Sequence, residues 1–336
     1  MDDILTELAA LPTHLIVRAS RDIATTARLG WWQPEKQPRQ IIPARRTNLF
    51  FQRITDRLWP KAPPAPFPSD RELLATNADF AWLFLFHPSG YLREAALCRI
   101  ATPPTSPFFL AALALRLNDW VGPVRQAAAR CVKHLAPDVA ADVAADAAAY
   151  LLGRRFAWER WSDEAHMLDL VFARADVLAA LAKRLQDTPT GPMGDCLRNA
   201  LRFPDSDQHL SKLAATAIQP SVRAIAYKCL ISRKAAWHAG FEWAWIDKVY
   251  GLRRRVPKLE TRDIQTDGPV VDFIVAGIRD RSAFVRKTVA DAMIGVRSQI
   301  EDEGHLVAQL AADPNPAVRS RGDFMVRHQG ERSPSS

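Results

Sequence analysis

The sequence lacks the short motifs that announce most chemistries. No GxGxxG, no GxxxxGK followed by Ser or Thr, no HExxH and no GxSxG occurs in the 336 residues. No phosphate cradle, two-histidine zinc helix or nucleophile elbow can therefore be drawn. Cysteine is scarce. Cys98, Cys131, Cys196 and Cys229 are scattered, with no CxxC and no Cys/His cluster, so neither a zinc site nor a disulfide framework is expected. No run approaches the roughly 18 uncharged apolar residues of a membrane span. The Met-Asp-Asp start has neither the basic nor the apolar region of a secretory signal. These absences point to a cytoplasmic, membrane-free chain, a monomer by default, without metal or cofactor. Of the eight histidines none pairs with a Cys or carboxylate at the spacing of a triad or a metal site, and His166, near Asp163, Glu164 and Asp169 on one expected helix, comes nearest to an acid/base cluster. Enzymatic activity stays open, because a repeat protein can assemble a site from several repeats.

What is present is a repeat. Asn118–Leu135 has Asp119, a break at Pro123, then Val124–Arg125 opening an Ala-rich helix. The hinge returns at Leu92–Arg93, Val222–Arg223, Val285–Arg286 and Val318–Arg319. Arg93 and Arg125 stand 32 apart, and Arg286 and Arg319 stand 33 apart. The 63 between Arg223 and Arg286 reads as two periods, and the 98 between Arg125 and Arg223 as three. A fixed period in this range signals stacked supersecondary units. Relative to each Arg, apolar residues fall at −1, +3 and +7, one face of a helix. The +3 residues Ala96, Ala128, Ala226, Val289 and Gly322 are mostly small, which lets a neighbouring helix approach. Asp119, Asp280 and Asp313 stand six before their Arg, as does His87 before Arg93.

This pattern resembles the HEAT repeat in the shorter form of bacterial HEAT-like proteins. The residues that carry it are Asp119/Pro123/Val124/Arg125, Asp280/Val285/Arg286 and Asp313/Pro316/Val318/Arg319. The resemblance implies an all-α fold: a right-handed α-solenoid of stacked helical hairpins. It also implies that Asp119, Arg125, Asp280, Arg286, Asp313 and Arg319 form a ladder tying one repeat to the next.

Three sections are expected. Residues 1–68 form a helical, Pro-rich capping section. Within it, 30–46 is an extended surface segment carrying Trp31 and Trp32, 47–58 is a helix and 60–68 is a stiff linker. Residues 69–328 form the solenoid, and 329–336 a disordered tail. Between Arg125 and Arg223 the hinge is degraded; residues 158–171 and 193–201 supply the missing inner helices, with Gly194 where an Arg belongs. Trp158 and Trp161, three apart, share a helix face as possible aromatic anchors beside Arg155 and Arg160.

The formal charge of +8 is uneven: residues 211–268 hold 11 Lys/Arg against 5 Asp/Glu. Their most irregular stretch, 241–267, contains Arg253, Arg254, Arg255 and Lys258, where a loop replaces or follows an inner helix. Positions +1, +5 and +8 of the inner helices face outward to a concave side, among them Arg130, Lys133, Ala224, Lys228 and Ile231. The resemblance therefore implies a non-catalytic protein-binding scaffold, whose contacts are Arg130, Lys133 and Lys228 with the basic run Arg253–Arg255 and Lys258. The alternative partner is nucleic acid, bound by residues 211–268 in the manner of HEAT-like DNA glycosylases. A bilin-lyase-like enzyme or chaperone is a third reading. No catalytic residue carries over from either enzyme family.

Overall fold

In the computed structural model the described residues are 2–26, 69–155, 157–158, 160, 164–300 and 304–328. The expectations for 27–68, for Trp161 and Asp163 and for the tail 329–336 lie outside them. The chain divides into two compact units, Met1–Arg174 and Ala175–Ser336. Among the described residues it is mostly helical, with one small two-stranded sheet.

The first unit contains α1 (Asp2–Ala9), α2 (Ile16–Thr26), α3 (Asp70–Thr76), α4 (Phe80–Phe84), α5 (Gly90–Leu97), α6 (Pro107–Leu117), α7 (Gly122–Leu135), α8 (Ala141–Leu151) and α9 (Asp169–Phe172). Helix α3 begins in a capping box: Glu72 N–H donates to the Ser69 hydroxyl, and Ser69 N–H donates to Glu72 Oε2 at 2.7 Å. Ser106 caps α6, and Pro107 fills the first-turn position where no backbone donor is needed. Phe108 to Ala114 and Leu117 of α6 are all buried, since α1, α2, α7 and α8 all pack on it. Helices α4 and α5 pair as a hairpin, and α5 lies beside α7.

The second unit contains α10 (Ala175–Asp187), α11 (Met193–Ala200), α12 (Leu210–Thr216), α13 (Pro220–Ser232), β1 (Lys234–Asp247), β2 (Leu252–Asp263), α14 (Val270–Ile278), α15 (Ala283–Val296), α16 (Gly304–Ala311) and α17 (Pro316–Arg327). Hairpins form between α12 and α13, α14 and α15, and α16 and α17, while α11, α13, α15 and α17 neighbour one another in turn.

Arginine–carboxylate rungs join successive hairpins. Arg93 makes two parallel bonds to Asp119, at 2.9 and 2.8 Å, and also donates to the carbonyls of His87 and Pro88. Arg223 does the same to Asp280 (2.7 and 2.9 Å) and to the carbonyls of Ala217 and Ile218. Arg286 binds Asp313 at 2.7 and 3.0 Å and the Asp280 carbonyl. Each of these aspartates also accepts the N–H two residues on, from Val121, Ser282 and Asn315. Arg319 donates to the carbonyls of Asp313 and Pro314. Arg125 donates to the Asp119 carbonyl and to Glu164 instead of an aspartate. His87 stands where the hinges at Arg125, Arg286 and Arg319 have aspartate, and its ring bonds Asp70 at 2.9 Å.

Two expectations need correction. The 63-residue interval from Arg223 to Arg286 is one period, not two. The strands and their turn occupy 30 residues, Lys234–Asp263, and the remaining 33 is the spacing of Arg286 and Arg319. Residues 158–171 are also not one helix. Trp158 lies outside any helix, 164–168 form a 3-10 turn and only α9 follows. Glu164 is held by Arg125 and Asp169 by Arg155, which fixes two short turns in place of a continuous helix. By contrast, α11 lies within the expected 193–201 and packs on α13. A Cβ at Gly194 would come within 2.9 Å of Ser221, so close approach explains the glycine there.

The small +3 residues set helix spacing most tightly at Gly322. A Cβ there would strike the backbone of Ala311 and sit 2.6 Å from the Leu310 carbonyl carbon. Gly322→Ala is expected to cost roughly 1–3 kcal/mol by forcing α16 and α17 apart. Gly295→Ala, with open space around the new methyl, should be neutral or stabilise by about 0.5–1 kcal/mol. Paired thermal melts check both; equal melting temperatures for the two variants would contradict the close-approach account.

The rungs also make stability depend on acid. Hydrogen bonds from Arg286 chiefly, then the Asn315 N–H, hold the Asp313 carboxyl below its usual range, outweighing its burial. A native pKa below the unfolded one contributes stability at pH above about 4, which is lost as pH falls through the native value. The melting temperature of the wild type should therefore drop below about pH 4. For Asp313→Asn the curve should start lower and run flatter through that window.

Candidate functional site

The departure from helical structure also carries many exposed large apolar side chains, from Phe241 to Leu259. Strands β1 and β2 pair antiparallel, with Lys234 opposite Asp263 at the base and Trp245 opposite Arg253 near the tip. The sequence explains the ribbon. Phe241, Trp243 and Trp245 alternate with smaller or polar residues, the period-2 pattern of a strand, and aromatic and β-branched residues favour it. The register shifts between His238 and Phe241, where Gly240 adopts φ +110°, and again near the turn, where Gly251 adopts φ +67°. Asp247 Oδ1 accepts the N–H groups of Val249 and Tyr250 and closes that turn.

The base is fastened firmly. Arg262 makes two bonds to Asp207, at 2.7 and 2.6 Å, and donates to the carbonyls of Leu201 and Phe203. Ala235 and Ile264 are buried, and β1 rests on α11 and α13. Arg233, left-handed at φ 56°, ends α13 and donates to the carbonyls of Thr266 and Gly268 on the returning chain.

Beyond the base the ribbon is exposed. The pairs Phe241–Pro257, Trp243–Arg255 and Trp245–Arg253 put three aromatic rings and two arginines on one face. The Arg253 guanidinium lies 3.7 Å from the centre of the Trp245 ring, and that of Arg255 lies 4.2 Å from the centre of Phe241. Trp243 between them is 67% exposed. The opposite face carries Glu242, Ala244, Arg254 and Val256. At the tip, Ile246, Val249, Tyr250 and Leu252 are exposed. Lys258 is exposed and within 3.8 Å of Glu260.

The expected contact residues fall in both units. Arg130 and Lys133 are exposed on α7, and Lys228 on α13. Ala224 and Ile231, expected to face outward, are buried, since α11, α12, α14, α15 and β1 all pack on α13. Arg253, Arg254 and Arg255 form one run in sequence, yet the pleat sends Arg254 to the opposite face. Trp158 is half-buried. The His166 cluster is engaged structurally: Arg155 holds Asp169 and approaches the His166 ring, and Arg125 holds Glu164. Cys98 is exposed; Cys131, Cys196 and Cys229 are buried, and burial pushes each of these three thiols up to about 12, far from a reactive thiolate. Among the described residues no three His, Cys, Asp or Glu side chains gather to hold a metal, and no helix is long and apolar enough to cross a membrane.

Sequence reasoning missed Phe241, Trp243 and Trp245 as partners of the arginines. The signal was there: aromatics two apart, then arginines two apart across a Gly-containing turn.

If Arg262 and Asp207 fasten the ribbon, Arg262→Ala should loosen it without unfolding the helices. Proteolysis at residues 240–257 should accelerate by at least about ten-fold, the equivalent of about 1.4 kcal/mol, while far-UV helicity persists. An unchanged cleavage pattern would show that the strands hold themselves. Compared with known proteins, the chain matches no family model and no curated protein sequence.

Proposed function

We propose that this chain is a non-catalytic binding scaffold, a right-handed α-solenoid of HEAT-like hairpins that carries the β1–β2 ribbon as its recognition arm, and that the arm binds nucleic acid. The observation that carries this is the exposed face on which Arg253 and Arg255 lie over Trp245 and Phe241. Guanidinium groups held over rings place positive charge beside the aromatic faces, where phosphate can approach and bases can stack. The basic balance of residues 211–268 adds charge of the right sign. The rungs, the paired hairpins and the 33-residue period support the solenoid. The ladder residues Asp119, Arg125, Asp280, Arg286, Asp313 and Arg319 belong to that frame rather than to the ligand.

A second reading has a specific observation behind it. The apolar tip, with Ile246, Val249 and Tyr250 exposed, suits a protein groove, and exposed Trp, Tyr and Arg are the residues that dominate protein interfaces. On that reading Lys228, exposed on α13 of the same unit, contributes from the helices.

Binding of a labelled oligonucleotide across roughly 50 to 200 mM salt tests the first. Affinity should fall steeply over this range. Replacing Arg253, Arg254 and Arg255 together by Ala should reduce the slope of log K against log salt by roughly 2. If neither single-stranded nor duplex nucleic acid binds at the low-salt end, the nucleic-acid assignment fails and the protein-groove reading takes its place.

A further inference from the structure

We infer that the ribbon's aromatic face is a stacking platform for single-stranded nucleic acid, taking unpaired bases on Trp243 and its flanking rings and phosphates on Arg253 and Arg255. This rests on the nucleic-acid assignment above and adds which form of nucleic acid is held.

The geometry distinguishes the forms. Phe241, Trp243 and Trp245 are successive residues on one side of a strand, so their spacing along it is about 6.6 Å. That is about twice the 3.4 Å rise of a nucleic-acid strand. A single strand can open its backbone to lay successive bases on successive rings. A duplex cannot, because each of its base faces is covered by the next pair in the stack. Trp243 is the key ring. Its neighbours Phe241 and Trp245 each carry a guanidinium on one side, whereas Trp243, the most exposed of the three rings, stands between them. A base on Trp243 would have a ring on one side and phosphates within reach of Arg253 and Arg255, two residues apart on the facing strand.

Charge complementarity names a polyanion. On the outer part of this face the charged side chains are Arg253 and Arg255, with His238 nearer the base and Lys234 opposite Asp263 at the base itself. Glu242 lies on the opposite face, and the Asp247 carboxylate at the turn is engaged by two backbone N–H groups. Lys248 adds a further exposed cation at the turn. An acidic polypeptide would match the positive charge of this face and leave the rings without planar partners. A strand with bases satisfies both.

The test uses the full chain and fluorescence anisotropy with four labelled or competing probes of equal length. These are an oligothymidylate, the same strand with abasic sites throughout, a blunt duplex, and poly-L-glutamate. The oligothymidylate should bind at least about ten-fold tighter than the abasic strand, which has the same phosphates and no bases. It should also bind at least ten-fold tighter than the duplex. Trp243→Val removes the ring while keeping a strand-forming residue, and should cost the oligothymidylate about ten-fold while leaving the abasic strand unchanged. Equal binding of the oligothymidylate and its abasic form would overturn the stacking platform, and this comparison needs no variant. Duplex binding as tight as single-strand binding overturns the inference while leaving the nucleic-acid assignment standing. Binding of poly-L-glutamate equal to that of the oligothymidylate overturns both in favour of charge alone, and failure of every probe removes the assignment itself.

Discussion

The two-pronged bond from an arginine to the carboxylate of the next hairpin is the constraint on which the rest of each unit depends. One guanidinium satisfies a carboxylate with two N–H groups and caps the carbonyls that end its own hairpin's outer helix. The aspartate in turn receives a backbone N–H, and its own carbonyl receives the following arginine. Asp280 shows both sides: its carboxylate takes Arg223 and its carbonyl takes Arg286. The run Arg223–Asp280–Arg286–Asp313–Arg319 is therefore continuous through the second unit. Arg93–Asp119–Arg125–Glu164 does the same work in the first. Burying charge is costly unless every donor and acceptor is met, and here the same few atoms also set the offset between hairpins.

That constraint explains how a 30-residue insertion is tolerated. Arg223 and Asp280 are 57 apart in sequence, against 26 for Arg93 and Asp119, yet the rung is the same. An antiparallel ribbon returns to its starting point, with Lys234 opposite Asp263. The connection from α13 to α14 is thus short in space whatever the ribbon's length. A single inserted helix would carry the chain away from Asp280 and break the rung.

A lone two-stranded ribbon is marginal in water, and this one exposes tryptophan, tyrosine and arginine over most of its length. The Arg262–Asp207 bonds and the Arg233 contacts supply at the base what a third strand would supply elsewhere. So large an uncovered aromatic surface has little structural use within the unit, which supports the proposed interaction site. The helices hold the arm, and on the proposed reading the arm meets the ligand.

Much of the frame was legible in the sequence. The hinge spacing, the Pro at several helix starts and the Asp six before Arg125, Arg286 and Arg319 are local facts, and the resemblance they carry implied the rungs. The inner helix over 193–201 was legible for the same reason. The segment 158–171 was not, because Arg125 and Arg155 act on Glu164 and Asp169 from outside it, and no local pattern records that. At 241–267 the alternation was visible, but a helical repeat on both sides made helix or loop the natural expectation. Only the tertiary structure decided that 63 residues are one period and a ribbon. It also decided that Arg253 and Arg255, but not Arg254, face the aromatic rings. Periodicity along a chain determines which residues share a face; pairing between distant strands determines which faces meet, and that information lies in the fold.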